Sequence, residues 1–335
     1  MATPFGRSYF FVAAMVVFLG LLFASKGAFA STIFNRTLSM YLIEYESAIY
    51  TDDVDSIRSW TCSRCHGLTT GFLVKQVVND QRAQLTAMVG ESPQLQAAIV
   101  AFRGTRRESV VNWIADLKFI QRRLDYPKSA GALVHHGFYT DYHNTTMRPE
   151  LTKALLSLLA EKPSLPVYVI GHSMGAALAI LCALDLRVNF GLPDVRLWNA
   201  GGPRVGNKAF TDYFKRWVPN SIRMVNGHDV VPHLPPVDVN YHHIATEIWI
   251  YHIALFEFEK VCDGSGEDPL CSRGVAGNSI ADHKTYLGVP VHSTPDLTSG
   301  DWDRIQLSYT ALGVDKLDIV KQGALTARKQ WLVAR

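Results

Sequence analysis

A serine lies between two glycines in Gly171-His172-Ser173-Met174-Gly175. The apolar run Val167–Ile170 precedes it, with the length and composition of a buried strand. An Ala-rich segment of helix length follows, ending near Asn189. Strand, tight turn and small-residue helix are the setting of a nucleophile elbow. In such a turn Ser173 is held in a strained conformation with its hydroxyl pointing out of the sheet. Gly171 and Gly175 have no Cβ, so strand and helix can close on each other. The helix begins at the serine, so its unpaired N–H groups and positive end lie where an oxyanion would form.

A serine hydroxyl is a poor nucleophile until a base takes its proton, and a third group must orient that base. In sheets of this kind the chain order is Ser, then Asp or Glu, then His. Asp229 fits the second place: it follows the strand-like Ser221–Val225 and precedes Val230-Val231-Pro232. The base has several candidates, His233, His242, His243, His252, His283 and His292. His242 and His243 are adjacent and would point in different directions from a strand. His283 sits on a polar loop before Tyr286-Leu287 and can reach across a site, so it leads without eliminating the others.

The elements that must position these residues alternate along the chain. Ala97–Phe102, Val167–Ile170, Val195–Trp198 and Ser221–Val225 read as strands. Thr32–Tyr50 and Pro149–Glu161 read as helices. Val110, Trp113, Ile114, Leu117, Ile120 and Leu124 recur at helical spacing. That segment is either a core-facing amphipathic helix or a mobile cover over a site. Strands alternating with helices imply an α/β chain with a mostly parallel sheet. Ligands sit beyond the carboxyl ends of such strands, where Ser173 and Asp229 both fall.

Composition narrows the class. The chain has 335 residues, 48% of them hydrophobic and 19% charged, with a formal net charge of +3. That supports one large core and argues against disorder. No Lys/Arg block marks a nucleic-acid footprint. Arg7, the apolar run Tyr9–Ala24 and the small-x-small triplet Ala28-Phe29-Ala30 read as a signal peptide over residues 1–30, with an uncleaved anchor as the alternative. Removing it takes Arg7 and Lys26 and lowers the charge from +3 to +1. A secretory route permits disulfides among the five cysteines and glycosylation at Asn35 and Asn144, both in Asn-x-Thr triplets. Cys182, on the Ala-rich segment, reads as a small buried hydrophobe. Cys62-Ser63-Arg64-Cys65-His66 matches a c-type haem attachment string, a redox pair or a small disulfide loop, and the string does not choose between them.

Several blocks together resemble the class 3 lipases, the group of secreted fungal triacylglycerol lipases and related plant enzymes. They are Phe102-Arg103-Gly104-Thr105, Asn112–Leu117, His136-Gly137-Phe138, the elbow, Pro203–Asn207, Asp229–Pro232 with Leu234-Pro235-Pro236, and Asp282-His283. They run in family order from about Ala97 to Leu287. The resemblance implies an α/β-hydrolase fold with a mostly parallel central sheet, helices on both faces and a helical lid near residues 106–124. It implies Ser173 as nucleophile, Asp229 as acid and His283 as base. Thr105 and Met174 match the oxyanion donors, each worth on the order of 3 kcal/mol in the transition state. Val110, Trp113, Ile114, Leu117 and Ile120 match the lid, with Trp113 its apolar anchor. Cys62/Cys65 and Cys262/Cys271 fall where secreted fungal members carry short disulfide loops.

The implied activity is serine hydrolysis of lipid carboxylic esters, first triacylglycerol, through an acyl-enzyme. Phospholipid, galactolipid and feruloyl esters are alternative substrates, and a non-catalytic lipid- or partner-binding module is the remote one. No metal or cofactor is called for. Asp263, Glu267 and Asp268 lack the full ligand pattern of a calcium loop. The expected partner is a lipid–water interface, with no membrane span after leader removal. The domain would cover residues 31–292. Residues 293–335 form an extension whose end, Leu317–Arg335, mixes basic and apolar residues as a lipid-surface or docking helix would. Two departures stand out: Ala176 where the family commonly has glycine, and Gly202 where it commonly has glutamine.

Overall fold

The computed structural model describes residues 34–105, 110–254 and 256–291. The leader, residues 293–335 and His292 therefore lie outside the described residues, as do positions 106–109 of the expected lid.

Asn35 caps the first helix, α1 (Arg36–Ala48), its side chain accepting from the Leu38 N–H. A short α2 (Val54–Arg58) leads to strands β1 (Leu73–Asp80), β2 (Leu85–Ser92) and β3 (Ala97–Phe102). Helix α3 (Val110–Asp116) is followed by β4 (Gln121–Arg123), β5 (Leu133–His135), α4 (His136–His143) and α5 (Met147–Glu161). Then come β6 (Val167–His172), α6 (Met174–Val188), β7 (Val195–Ala200), α7 (Lys208–Trp217) and β8 (Ser221–Asn226). β9 (Glu247–Ile253) and β10 (Phe256–Val261) pair as a hairpin, and α8 (Ile280–Lys284) ends close to β11 (Thr285–Tyr286) and β12 (Val289–Pro290).

Eight strands form one sheet in the order β1-β2-β3-β6-β7-β8-β9-β10. The middle, from β3 through β9, is parallel, and antiparallel strands finish both edges. β3 and β6 are buried on both faces, which explains their unbroken apolar sequences. Alternation then divides β3 between two cores. Ala97, Ile99 and Ala101 pack with Leu42, Ile43 and Tyr45 of α1. Ala98, Val100 and Phe102 pack with α4, α5, α6 and α7 on the other face. Every residue of α6 from Met174 to Leu186 is buried, and its run of alanines lets it lie close on β6. Among the described residues no helix is long and apolar enough to cross a membrane.

The expected elements around the elbow are present, each within a few residues of the limits read from sequence. The apolar spacing expected to continue as helix to Leu124 does not. The helix stops at Asp116, and the chain then pairs β4 with β5, Gln121 opposite His135. Leu117 and Leu124 are buried outside the helix, whereas Ile120 is 57% exposed. Their spacing came from two different elements in succession. The β1/β2 and β9/β10 hairpins and α7 had no counterpart in the sequence reading.

Candidate active site

Ser173 stands between the end of β6 and the start of α6 with φ 60° and ψ −132°, a region that a residue with a Cβ seldom occupies. Both flanking glycines are required by contact. A Cβ on Gly171 would lie 2.4 Å from the Gly175 carbonyl oxygen, and one on Gly175 would lie 2.3 Å from that of Phe102. The strained turn is therefore locked by β3 on one side and its own helix on the other.

Asp229 follows β8, buried at the adjacent carboxyl end of the sheet. Its Oδ1 accepts from the Val231 N–H at 2.9 Å. Its Oδ2 lies 2.8 Å from His283 Nδ1 and accepts a second bond, 2.5 Å, from the Tyr286 hydroxyl. Burial beside this carboxylate pushes the Tyr286 phenol well up, so it stays a donor. Gly201, at φ +59°, closes over the group; a Cβ there would fall 2.9 Å from Asp229 Oδ2, His283 Nδ1 and Tyr286 Oη alike. With Nδ1 on the carboxylate, His283 Nε2 faces away from it. That atom and Ser173 Oγ are both buried, and neither has a hydrogen-bond partner among the described residues. The His283 ring lies 4.3 Å from that of His172, the neighbour of the serine.

Among the described residues the rival histidines are engaged elsewhere. Both His233 nitrogens face backbone carbonyls, of Asp229, Ser272 and Val275, and burial depresses its pKa. His243 Nε2 meets the Pro232 carbonyl at 2.6 Å, and His242 Nδ1 the His243 carbonyl at 3.0 Å. His252 lies 3.5 Å from Glu257 on the edge hairpin.

Thr105 and Met174 come together: the Thr105 hydroxyl lies 3.7 Å from Met174 Sδ. A Cβ on Gly104 would be 2.9 Å from Ser173 Cβ, so this loop runs directly against the elbow. Of the expected lid residues, Val110, Ile114 and Leu117 are buried and Trp113 stacks on Phe138 with centroids 6.3 Å apart.

The cysteines pair as Cys62–Cys65 and Cys262–Cys271, with Cys182 free and buried. The first bond leaves no thiol in the Cys62–His66 string for haem. Glu247 sits beside Cys262 and Cys271, but those sulfurs are bonded to each other and Glu247 pairs with Arg223. Glu267 is held by Arg204 through two hydrogen bonds. Asn35 and Asn144 are both exposed. The two departures from family pattern meet in space: a Cβ on Gly202 would lie 2.7 Å from the Ala176 methyl. The methyl at 176 occupies the room that a side chain at 202 would need.

Three residues around the site gave no signal in the sequence. Tyr286 reads as core beside Leu287. Glu46 lies on the N-terminal helix and Tyr50 just past its end, far from the motifs in sequence. Only the fold brings them behind the elbow.

A carboxylate holding an imidazole beside a serine at a helix N-terminus is equipment for acyl transfer. On this sheet, with the serine after β6 and the acid after β8, it defines an α/β-hydrolase. The description "Lipase (class 3)" matches residues 99–239. The lipase of Rhizomucor miehei is 34% identical over 235 residues, 69% of this chain and 62% of that protein. The secreted mono- and diacylglycerol lipase A of Penicillium cyclopium is 33% identical over 208 residues, 62% of this chain and 66% of that one. A solved triacylglycerol lipase, whose catalytic centre is a serine protease triad, superposes with a TM-score of 0.69 at 32% identity, covering 76% of this chain and 95% of that one. The chain belongs to the class 3 lipase family. It spans 62–66% of the length of these two curated relatives.

Proposed function

We propose that this chain is a secreted serine hydrolase that cleaves carboxylic esters of lipids, triacylglycerol first among them. The observation that carries the reading is the 2.8 Å pairing of His283 Nδ1 with buried Asp229, next to a serine held at φ 60°. Ser173 Oγ attacks the ester carbonyl carbon while its proton passes to His283 Nε2. Asp229 holds the ring and stabilises the imidazolium. The backbone N–H groups of Thr105 and Met174 receive the oxyanion. As the C–O bond breaks, His283 returns the proton to the departing alcohol. Water then attacks the acyl-enzyme by the same route, and Ser173 recovers its proton.

Two secretory features support the compartment: the paired cysteines, and a relative that is itself named as secreted. Residues 106–124 act as a lid in this account. Support comes from Val110 and Ile114, buried in the same core cluster as Met174, and from Trp113 packed against that cluster. A lid with an apolar inner face opens where lipid can cover that face, which favours aggregated substrate.

Hydrolysis of tributyrin followed through its solubility limit tests both parts. The rate should rise sharply once an emulsion forms, and Ser173→Ala should abolish it on either side of that point. Turnover retained by the alanine variant would remove the hydrolytic reading. A smooth rise through the limit would remove the lid.

A further inference from the structure

We propose that His172, held in place by Tyr50, is a positioning residue for His283; this rests on the triad reading above. His172 Nε2 lies 2.8 Å from the His283 carbonyl oxygen. A carbonyl only accepts, so Nε2 carries the hydrogen. His172 Nδ1 lies 2.8 Å from the Tyr50 hydroxyl. That bond holds the far edge of the ring, and the same hydroxyl lies 3.5 Å from the His172 carbonyl oxygen. The Gly104 N–H in turn donates to the Tyr50 oxygen, and burial keeps the phenol protonated. A continuous chain of hydrogen bonds results, from Gly104 through Tyr50 and His172 to the backbone of His283.

Each link serves one part of the reaction. His283 lies near the end of α8, a five-residue helix whose last carbonyls have no intrahelical partner. The His172 N–H satisfies one of them and fixes the backbone that carries the base. The two rings overlap at 4.3 Å, tilted by 31°. The Tyr50 bond fixes the orientation of the ring against which the base lies. Tyr50, His283 and Tyr286, whose ring is 5.9 Å away, all face His172. Gly104 adjoins Thr105, so the same chain ties the oxyanion loop to the elbow and the base.

The test compares Tyr50→Phe, His172→Gln, His172→Leu and Ser173→Ala on a soluble ester, p-nitrophenyl butyrate. Glutamine can present an N–H near the place of Nε2; leucine cannot. His172→Leu and Tyr50→Phe should lower kcat by about tenfold or more with KM within about twofold, and His172→Gln should recover kcat to within about threefold of the parent. Equal losses in the glutamine and leucine variants at matched Tm, or a loss that appears in KM, would overturn the proposal while leaving the triad intact. If His172→Leu does not fold, Tyr50→Phe decides alone: kcat unchanged by loss of one oxygen overturns it. Activity retained by Ser173→Ala would sink both readings together.

Discussion

Asp229 accepts three bonds and spends two of them on one oxygen, from His283 and from Tyr286. The tyrosine fixes the carboxylate rotamer that the imidazole needs. Tyr286→Phe removes that donor, together with the oxygen that accepts from the Asn226 backbone, and kcat on a soluble ester should fall by about tenfold while KM and the circular dichroism spectrum stay as they are. An unchanged kcat would mean that Val231 and His283 suffice to hold the acid. The serine and the acid were legible in the sequence, because each follows a strand-like run at a turn. His283 needed family resemblance to separate it from its rivals, since several histidines follow Asp229, and the segment read as a polar loop is a helix of five residues, too short to show a period. Tyr286 was not legible: a tyrosine beside a leucine on a short strand looks like packing.

The elements around the site carry two further consequences. Ala176 and Gly202 exclude each other's side chains, so their departures from family pattern form one coupled change. Gly202→Gln should destabilise this chain, and Ala176→Gly in the same molecule should recover about 1–2 kcal/mol in a double-mutant cycle read by denaturant unfolding. Additive effects would show that the two positions do not share that space. Glu46 of α1 reaches β6 from behind, its Oε1 accepting from the Gly171 N–H at 3.1 Å. Burial raises its pKa well above the ordinary 4.5. The folded state therefore keeps a proton that the unfolded chain releases above 4.5. The stability linked to Glu46 is fully present below that pH and is lost as pH rises toward the folded pKa. Glu46→Gln has no such proton, so its Tm relative to the parent should climb between pH 5 and pH 8. A difference independent of pH would contradict the buried, protonated state. The parallel strands and α6 were readable as continuous apolar runs. The edge hairpins were not, because β1 and β10 are half exposed and mix charged with apolar residues. The segment after α3 misled for a related reason: buried positions in helix and in extended chain happened to keep one spacing.

At the scale of the molecule, one sheet places residues from distant parts of the chain at neighbouring carboxyl ends. The parallel order β6-β7-β8 sets Ser173 and Asp229 two strands apart, and the bridge between Asp229 and Ser279 draws the α8 segment over them. Fold class followed from strand–helix alternation, since that pattern has few solutions. The closure of the base onto the acid is a tertiary fact, made by α8 and the Gly201 turn, and no local pattern encodes it. The most direct measurement is the mass of the active-site peptide after treatment with diethyl p-nitrophenyl phosphate, which modifies only a serine that an adjacent base has activated. The account predicts one diethylphosphoryl group per chain, on Ser173, and none in His283→Ala. An unlabelled Ser173, or equal labelling without His283, would contradict it.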